Sequence, residues 1–217
     1  MVNPLETSDV PLETKLSHAF ARLGVVQRAN SWEATGEAGL NPTQGTILGL
    51  LYRNASAMRL GEIADALAVS AATVSDSVSV LVDKGLIAKR KAKDDGRAVA
   101  ISLLVPGRRF AEQLNHGDDV LIRALGALED DEREQLFLTL LKMIRQLQVS
   151  GHISVNRACV TCRYFRPKVH NDGQRPHHCA LVDSSFGDKT IREDCPEHEA
   201  ADKHLAEQNW RVFSGEA

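Results

Sequence analysis

Between Pro42 and Leu103 the spacing of apolar residues changes period once, and that change limits the folds open to the chain. Asn41-Pro42-Thr43-Gln44 supplies a cap with an early proline. Ile47, Leu48, Leu50 and Leu51 after it predict a mostly buried helix ending near Asn54. Leu60, Ile63, Ala64 and Leu67 predict a short second helix that breaks at Ala68-Val69, and Ser70 then caps a third running to about Lys84. Two short helices about a tight turn are a helix-turn-helix signal. After Lys84-Gly85 the helical period gives way to alternation. Leu86 and Ala88 face one side before the polar tip, and Val99, Ile101 and Leu103 after it. The tip, Lys93-Asp94-Asp95-Gly96-Arg97, holds Asp-Gly, a strong hairpin turn signal. The expected class is mainly α with a small β-hairpin wing, a winged helix-turn-helix.

Helical patterns flank this unit. Leu12, Leu16, Phe20, Leu23 and Val26 predict one long amphipathic helix. Beyond Pro106-Gly107 the chain reads as helical through about Gln148, where Phe137, Leu140, Leu141, Ile144 and Leu147 form an apolar stripe that needs a partner. The expected organisation is a loose arm at 1–11, a winged-helix and dimerisation domain at 12–149, and a Ser-, Gly- and His-rich linker at 150–157. A small irregular four-cysteine metal module at 158–200 and a C-terminal helix or tail at 201–217 follow, with Leu205, Trp210 and Phe213 as docking groups.

The net charge of −3 argues neither for nor against nucleic acid; distribution decides. From Lys84 to Arg109 there are eight basic residues and two acidic ones. The helix that Ser70 opens has the dimensions to enter a major groove. On it Val74, Val78 and Leu81 face the core, leaving Ala71, Ala72, Thr73, Ser75, Asp76, Ser77 and Ser79, small and polar, on the remaining surface. The candidate DNA-contacting residues are Ser70, Ala72, Thr73, Ser75, Asp76 and Ser79 on the helix, with Lys91, Lys93 and Arg97 on the wing.

The ordered set Leu60-Gly-Glu-Ile-Ala-Asp-Ala-Leu-Ala-Val-Ser70, Thr73-Val74-Ser75, Leu81-Val82-Asp83-Lys84-Gly85-Leu86-Ile87 and Asp95-Gly96-Arg97 resembles the MarR family of bacterial transcription regulators over roughly residues 12–149. The resemblance implies that Arg97 reaches into the minor groove, where narrow A·T-rich segments favour a guanidinium. It also implies that the first helix and those of 107–149 pair with a second subunit, so that a homodimer sets two recognition helices on near-palindromic double-stranded DNA. Asp76 departs from the family pattern, which commonly has a basic residue there. Its carboxylate would repel phosphate or accept a hydrogen bond from cytosine.

All four cysteines lie within 37 residues: Cys159-Val-Thr-Cys162, then Cys179 after sixteen residues and Cys195 after fifteen more. With no secretion signal evident, such thiols are expected as metal ligands rather than disulfides. One Cys-x-x-Cys pair and two lone cysteines differ from the two knuckles of a zinc ribbon. Their spacing, with Tyr164-Phe165 near the first pair, resembles small high-potential-type iron-sulfur modules found as minor subunits of some glycyl-radical enzymes. The preferred cofactor is a [4Fe-4S] cluster, with Zn2+ the alternative; His170, His177, His178 and His198 leave a Cys3His site open.

No run of about 18 apolar residues exists, so neither a membrane partner nor a membrane span is expected and a cytoplasmic location is. There is no nucleotide-binding glycine loop, no His-Glu-x-x-His and no nucleophile with a base, which argues against an enzyme. The expectation is a repressor-like regulator whose DNA affinity follows the state of the cluster. The alternatives are a regulator with structural zinc and a small-molecule effector in the dimer cleft, or an iron-sulfur electron-transfer or assembly subunit.

Overall fold

The structure, a computed structural model, describes residues 10–54, 56–91, 99–116 and 120–215. Helix α1 (Leu12–Gly36) leads into α2 (Pro42–Asn54), the strand β1 (Met58–Arg59), α3 (Leu60–Leu67) and α4 (Ala71–Asp83). Strands β2 (Ile87–Lys91) and β3 (Val99–Leu103) form the hairpin, and β1 joins it to give a three-stranded antiparallel sheet of order β1-β3-β2. Met58 stands opposite Ile101, and Ile87 opposite Leu103. The stretch expected to be helical after the hairpin is three helices, α5 (Val105–His116), α6 (Val120–Gly126) and α7 (Asp130–Val149).

The α3–α4 turn rests on Ala68, which takes a left-handed backbone (φ 52°) and closes α3 with its N–H on the carbonyls of Ala64 and Asp65. Ser70 then caps α4 by accepting a hydrogen bond from Thr73 N at 3.1 Å. Ile47, Leu48, Ile63, Val74, Val78, Leu81, Ile87 and Ile101 are all but fully buried and make one core beneath these elements. Gly107 allows α5 to start tight against the hairpin, because a Cβ there would fall 2.0 Å from the Leu86 carbonyl oxygen.

Two sequence expectations shift here. The alternation is out of phase by one residue on β2: Ile87 is buried, while Leu86 and Ala88 are only half-buried. Leu86-Ile87-Ala88 is a continuous apolar run, so periodicity alone cannot choose its inward member. Ser77, expected on the outer surface of α4, is buried in the same turn as Val74 and Val78; it is small enough to sit inside the apolar stripe.

The cysteine region has its own core and a small antiparallel sheet, β4 (Phe165–Arg166), β5 (His177–Cys179) and β6 (Ser184–Phe186), in the order β4-β5-β6. Helix α8 (Lys203–Ser214), capped by Asp202, closes it. This second core holds Ala158, Val160, Cys162, Phe165, Ile191 and Phe213, and α7 completes it with Leu141, Phe137 and Leu138. The 150–157 stretch is held in place: Gln148 is buried and donates to Ser154 O (3.4 Å) and Asn156 Oδ1 (2.8 Å). Among the described residues no single helix is long and apolar enough to cross a membrane.

Candidate functional site

The outer face of α4 is the first candidate. Ala71, Ala72, Thr73, Asp76 and Ser79 are exposed, and Ser75 is half-buried. Two hydroxyls on this face bond locally: Ser70 and Thr73 share a contact at 2.8 Å, and Ser79 Oγ donates to Ser75 O at 2.9 Å. The face near the helix N-terminus is therefore small, polar and self-satisfied, able to approach a surface closely without stranding a buried donor. Lys89, Arg90 and Lys91 are exposed on β2. Lys93 and Arg97, with the turn between them, lie outside the described residues. Other cations of the basic stretch have local work: Lys84 donates to Ala38 O, and Arg108 lies over the Tyr52 ring.

The second candidate is a pocket walled by Cys159, Cys162, Cys179 and Cys195 together, with Tyr164, Phe165, Leu181, Phe186 and Glu197. All four thiols are free. Long-range main-chain bonds fix each cysteine. Cys159 N donates to Arg192 O and Cys195 N to Arg157 O, both at 2.9 Å; Cys162 bridges to Ala200; Cys179 pairs with Phe165 across β4 and β5. Burial pushes the Cys159 thiol up, opposed by the Arg192 N–H and reinforced by the other three cysteines. Among the described residues no three His, Cys, Asp or Glu side chains are grouped as around one ion.

Sequence reasoning missed Arg192 and Glu197, which flank this pocket. The Arg192 main chain donates to Cys159 Sγ at 3.3 Å, and its guanidinium lies 3.8 Å from Cys195 Sγ and 3.5 Å from Glu197. Glu197 Oε2 accepts from Cys195 Sγ at 3.3 Å. Neither residue belongs to a recognisable motif, so only the Cys195-Pro-Glu197 proximity signalled them.

None of the four candidate histidines lines the pocket. His177 is wholly buried among Phe165, Phe186 and Phe213, accepting from Lys168 N at Nδ1 and bonding Asp188 through Nε2 at 2.7 Å. His170 and His178 contact one another, and His178 reaches Asp183. His198 bonds Thr161 Oγ1 at 3.0 Å, and burial lowers its pKa. These side chains brace the fold around the cysteines.

The module grips α7 along its length. Besides the shared apolar core, Lys189 pairs with Glu134 at 3.3 Å and Lys142 donates to Ser214 O. A cleft between α7 and residues 188–193 is lined by Asp130, Arg133, Glu134, Phe137, Lys189, Ile191 and Glu193. The side of α7 turned from the module leaves Met143 and Leu147 exposed, and on α1 Leu12, Leu16, Phe20 and Leu23 are exposed as well.

Residues 38–98 match the sequence profile of the MarR family. Two solved structures of S. aureus MepR, one in a DNA-binding conformation and one a MepR-DNA complex, are each 26% identical to the chain. They cover 61% of it and 98% of their own length, with TM-scores of 0.55 and 0.53. A MarR transcriptional regulator from Methanosarcina mazei shares the fold at 17% identity and TM-score 0.55, covering 60% of this chain and 94% of its own. No curated protein matches the chain. The winged-helix part is thus similar in sequence, over residues 38–98, to the MarR family and similar in fold to MepR.

Proposed function

We propose that this chain is a MarR-type DNA-binding transcriptional regulator, acting as a homodimer, whose DNA affinity is set by a metal centre held by Cys159, Cys162, Cys179 and Cys195. The observation that carries the DNA-binding half is the exposed, small and polar face of α4, capped at Ser70 and flanked by the basic strand β2. In this reading Thr73, Ser75, Asp76 and Ser79 face the major groove, with Ser70, Ala72 and Lys91 beside it and Lys93 and Arg97 at the wing. The exposed apolar residues of α1 and α7 are where the second protomer packs.

Four free thiols on one apolar wall support the metal half. Closed tetrahedral zinc would draw four sulfurs about one atom with Zn–S bonds of about 2.3 Å. One Cys-x-x-Cys pair with two lone cysteines departs from the two knuckles of a zinc ribbon, and a [4Fe-4S] cluster is the cofactor we assign. The cluster would supply one-electron redox chemistry and sensitivity to oxidants. The protein's own contribution is the apolar wall of Phe165, Leu181 and Phe186 and a packed connection to α7, through which a change at the cysteines reaches the dimer face. A coupling of only a few kcal/mol suffices to switch DNA occupancy. Such a regulator, repressor-like in action, belongs in the cytoplasm.

Anaerobic purification with an absorption spectrum and metal analysis tests the cofactor. Broad absorbance near 400 nm with about four irons and four sulfides per chain is expected, and a colourless protein with one zinc overturns it in favour of a structural brace and an effector bound between subunits. Fluorescence anisotropy on genomic fragments selected by the protein tests the regulator. Affinity should fall steeply with salt and should change when the loaded protein meets air; no selection of fragments above a random pool refutes it.

A further inference from the structure

We infer that Arg192 and Glu197 tune the redox potential of the cysteine centre in opposite directions, Arg192 as a cationic hydrogen-bond donor to two of its sulfurs and Glu197 as a carboxylate opposing it. The inference rests on the iron-sulfur reading above. Arg192 touches the site twice: its main-chain N–H donates to Cys159 Sγ at 3.3 Å and its guanidinium lies 3.8 Å from Cys195 Sγ. Glu197 lines the same pocket, 3.3 Å from Cys195 Sγ and 3.5 Å from the guanidinium. Among the described residues Glu197 is the one charged residue that lines the pocket, and Arg192 is the one cation hydrogen-bonded to its sulfurs. This pair therefore sets opposite charges beside the sulfurs.

Four thiolates outweigh the positive charge of a [4Fe-4S] core, so the loaded site is anionic, and each added electron makes it more so. A guanidinium and N–H donors on the sulfurs stabilise the more reduced state and raise the potential. A carboxylate beside the same sulfur lowers it. Cys195 Sγ lies 3.3 Å from Glu197 Oε2, so with the sulfur bound to metal as a thiolate the two groups face one another as like charges. Arg192 lies beside both as the shared counter-charge. Both side chains are more than half exposed, so solvent screens but does not cancel these effects.

The test is potentiometric titration of the full-length iron-loaded protein with dithionite as the electron donor, one electron per cluster, followed by absorption and electron paramagnetic resonance. Iron and sulfide are counted on the same samples. R192Q, which keeps an N–H donor and loses the charge, should shift the midpoint to lower potential; R192K should shift it less; E197Q should shift it upward. A residue that only holds the loop would not give shifts of opposite sign at unchanged iron content. Unmoved potentials, or shifts of one sign in R192Q and E197Q, overturn the inference while leaving the iron-sulfur reading in place. A wild-type protein with zinc in place of iron removes both. E197Q does not depend on R192Q holding its cluster, so loss of iron from R192Q leaves the upward shift as the deciding result.

Discussion

Phe165 stands directly opposite Cys179 in the pairing of β4 with β5, and its buried ring packs against Phe186, Phe213 and His177. The ring that centres the module's core also walls the cysteine pocket. Phe165→Ala should therefore cost the module about 3–5 kcal/mol and, on the iron-sulfur reading proposed above, loosen its hold on iron at the same time. Thermal unfolding followed at Trp210, which packs on this core, measures the first; iron retention on a desalting column measures the second. A variant that unfolds with the wild type and keeps its metal would show that the ring is only surface cover.

Ala68 is a non-glycine residue in a left-handed conformation at the α3–α4 turn. Ala68→Gly removes a steric cost of about 1–2 kcal/mol, partly offset by the greater freedom of the unfolded chain. A modest rise in Tm is expected, with DNA affinity unchanged. A fall in Tm would mean that the methyl group contributes packing which outweighs its strain.

Thr73→Glu separates stability from recognition. An acidic residue in the first turn of α4 suits the positive end of the helix, so Tm should hold or rise slightly. The same carboxylate on the exposed face would meet DNA phosphate, and binding should weaken at least about tenfold, roughly 1.4 kcal/mol, in an anisotropy titration. Equal affinity for wild type and variant would place the DNA elsewhere on the molecule.

On the proposed metal-bound reading, removal of the metal should act on one core and spare the other. The core around Ile47, Ile63, Val78 and Leu81 contains no cysteine, whereas Cys162 is part of the core around Phe165 and Leu141. Chelation, or Cys162→Ser, should lower the transition reported by Trp210 and leave the helical signal of the winged helix largely in place, seen by circular dichroism alongside fluorescence. A single transition shifted as a whole would show that the two cores unfold together.

The winged helix was legible because its cues are local. Ser70 is an unambiguous cap, and Val74, Val78 and Leu81 repeat at helical spacing. What escaped was set by tertiary context. Ser77 is buried although serine is ordinarily exposed, and the inward residue of Leu86-Ile87-Ala88 depends on where β3 lies. In the module, spacing pointed to the four cysteines, and the structure sets them on one wall. Its strands went unseen because His177-His178-Cys179 and Ser184-Ser185-Phe186 lack strand-like alternation, and His177 is buried only because Asp188 and Lys168 N satisfy it. Asn209 is a similar case, buried to donate to Phe165 O at 2.9 Å.

Helix α7 closes the module's core with Phe137, Leu138 and Leu141, and its buried Gln148 ties down the chain that leads to the cysteines. A graft of the module onto another winged-helix scaffold would therefore have to start at Asp130 rather than at Ala158. Cut at the linker, the transplanted piece would carry a bare apolar face; cut before α7, it would bring its own wall and impose that helix on the host. Exchange of such a module is thus constrained to carry along the face of α7 on which Met143 and Leu147 are exposed.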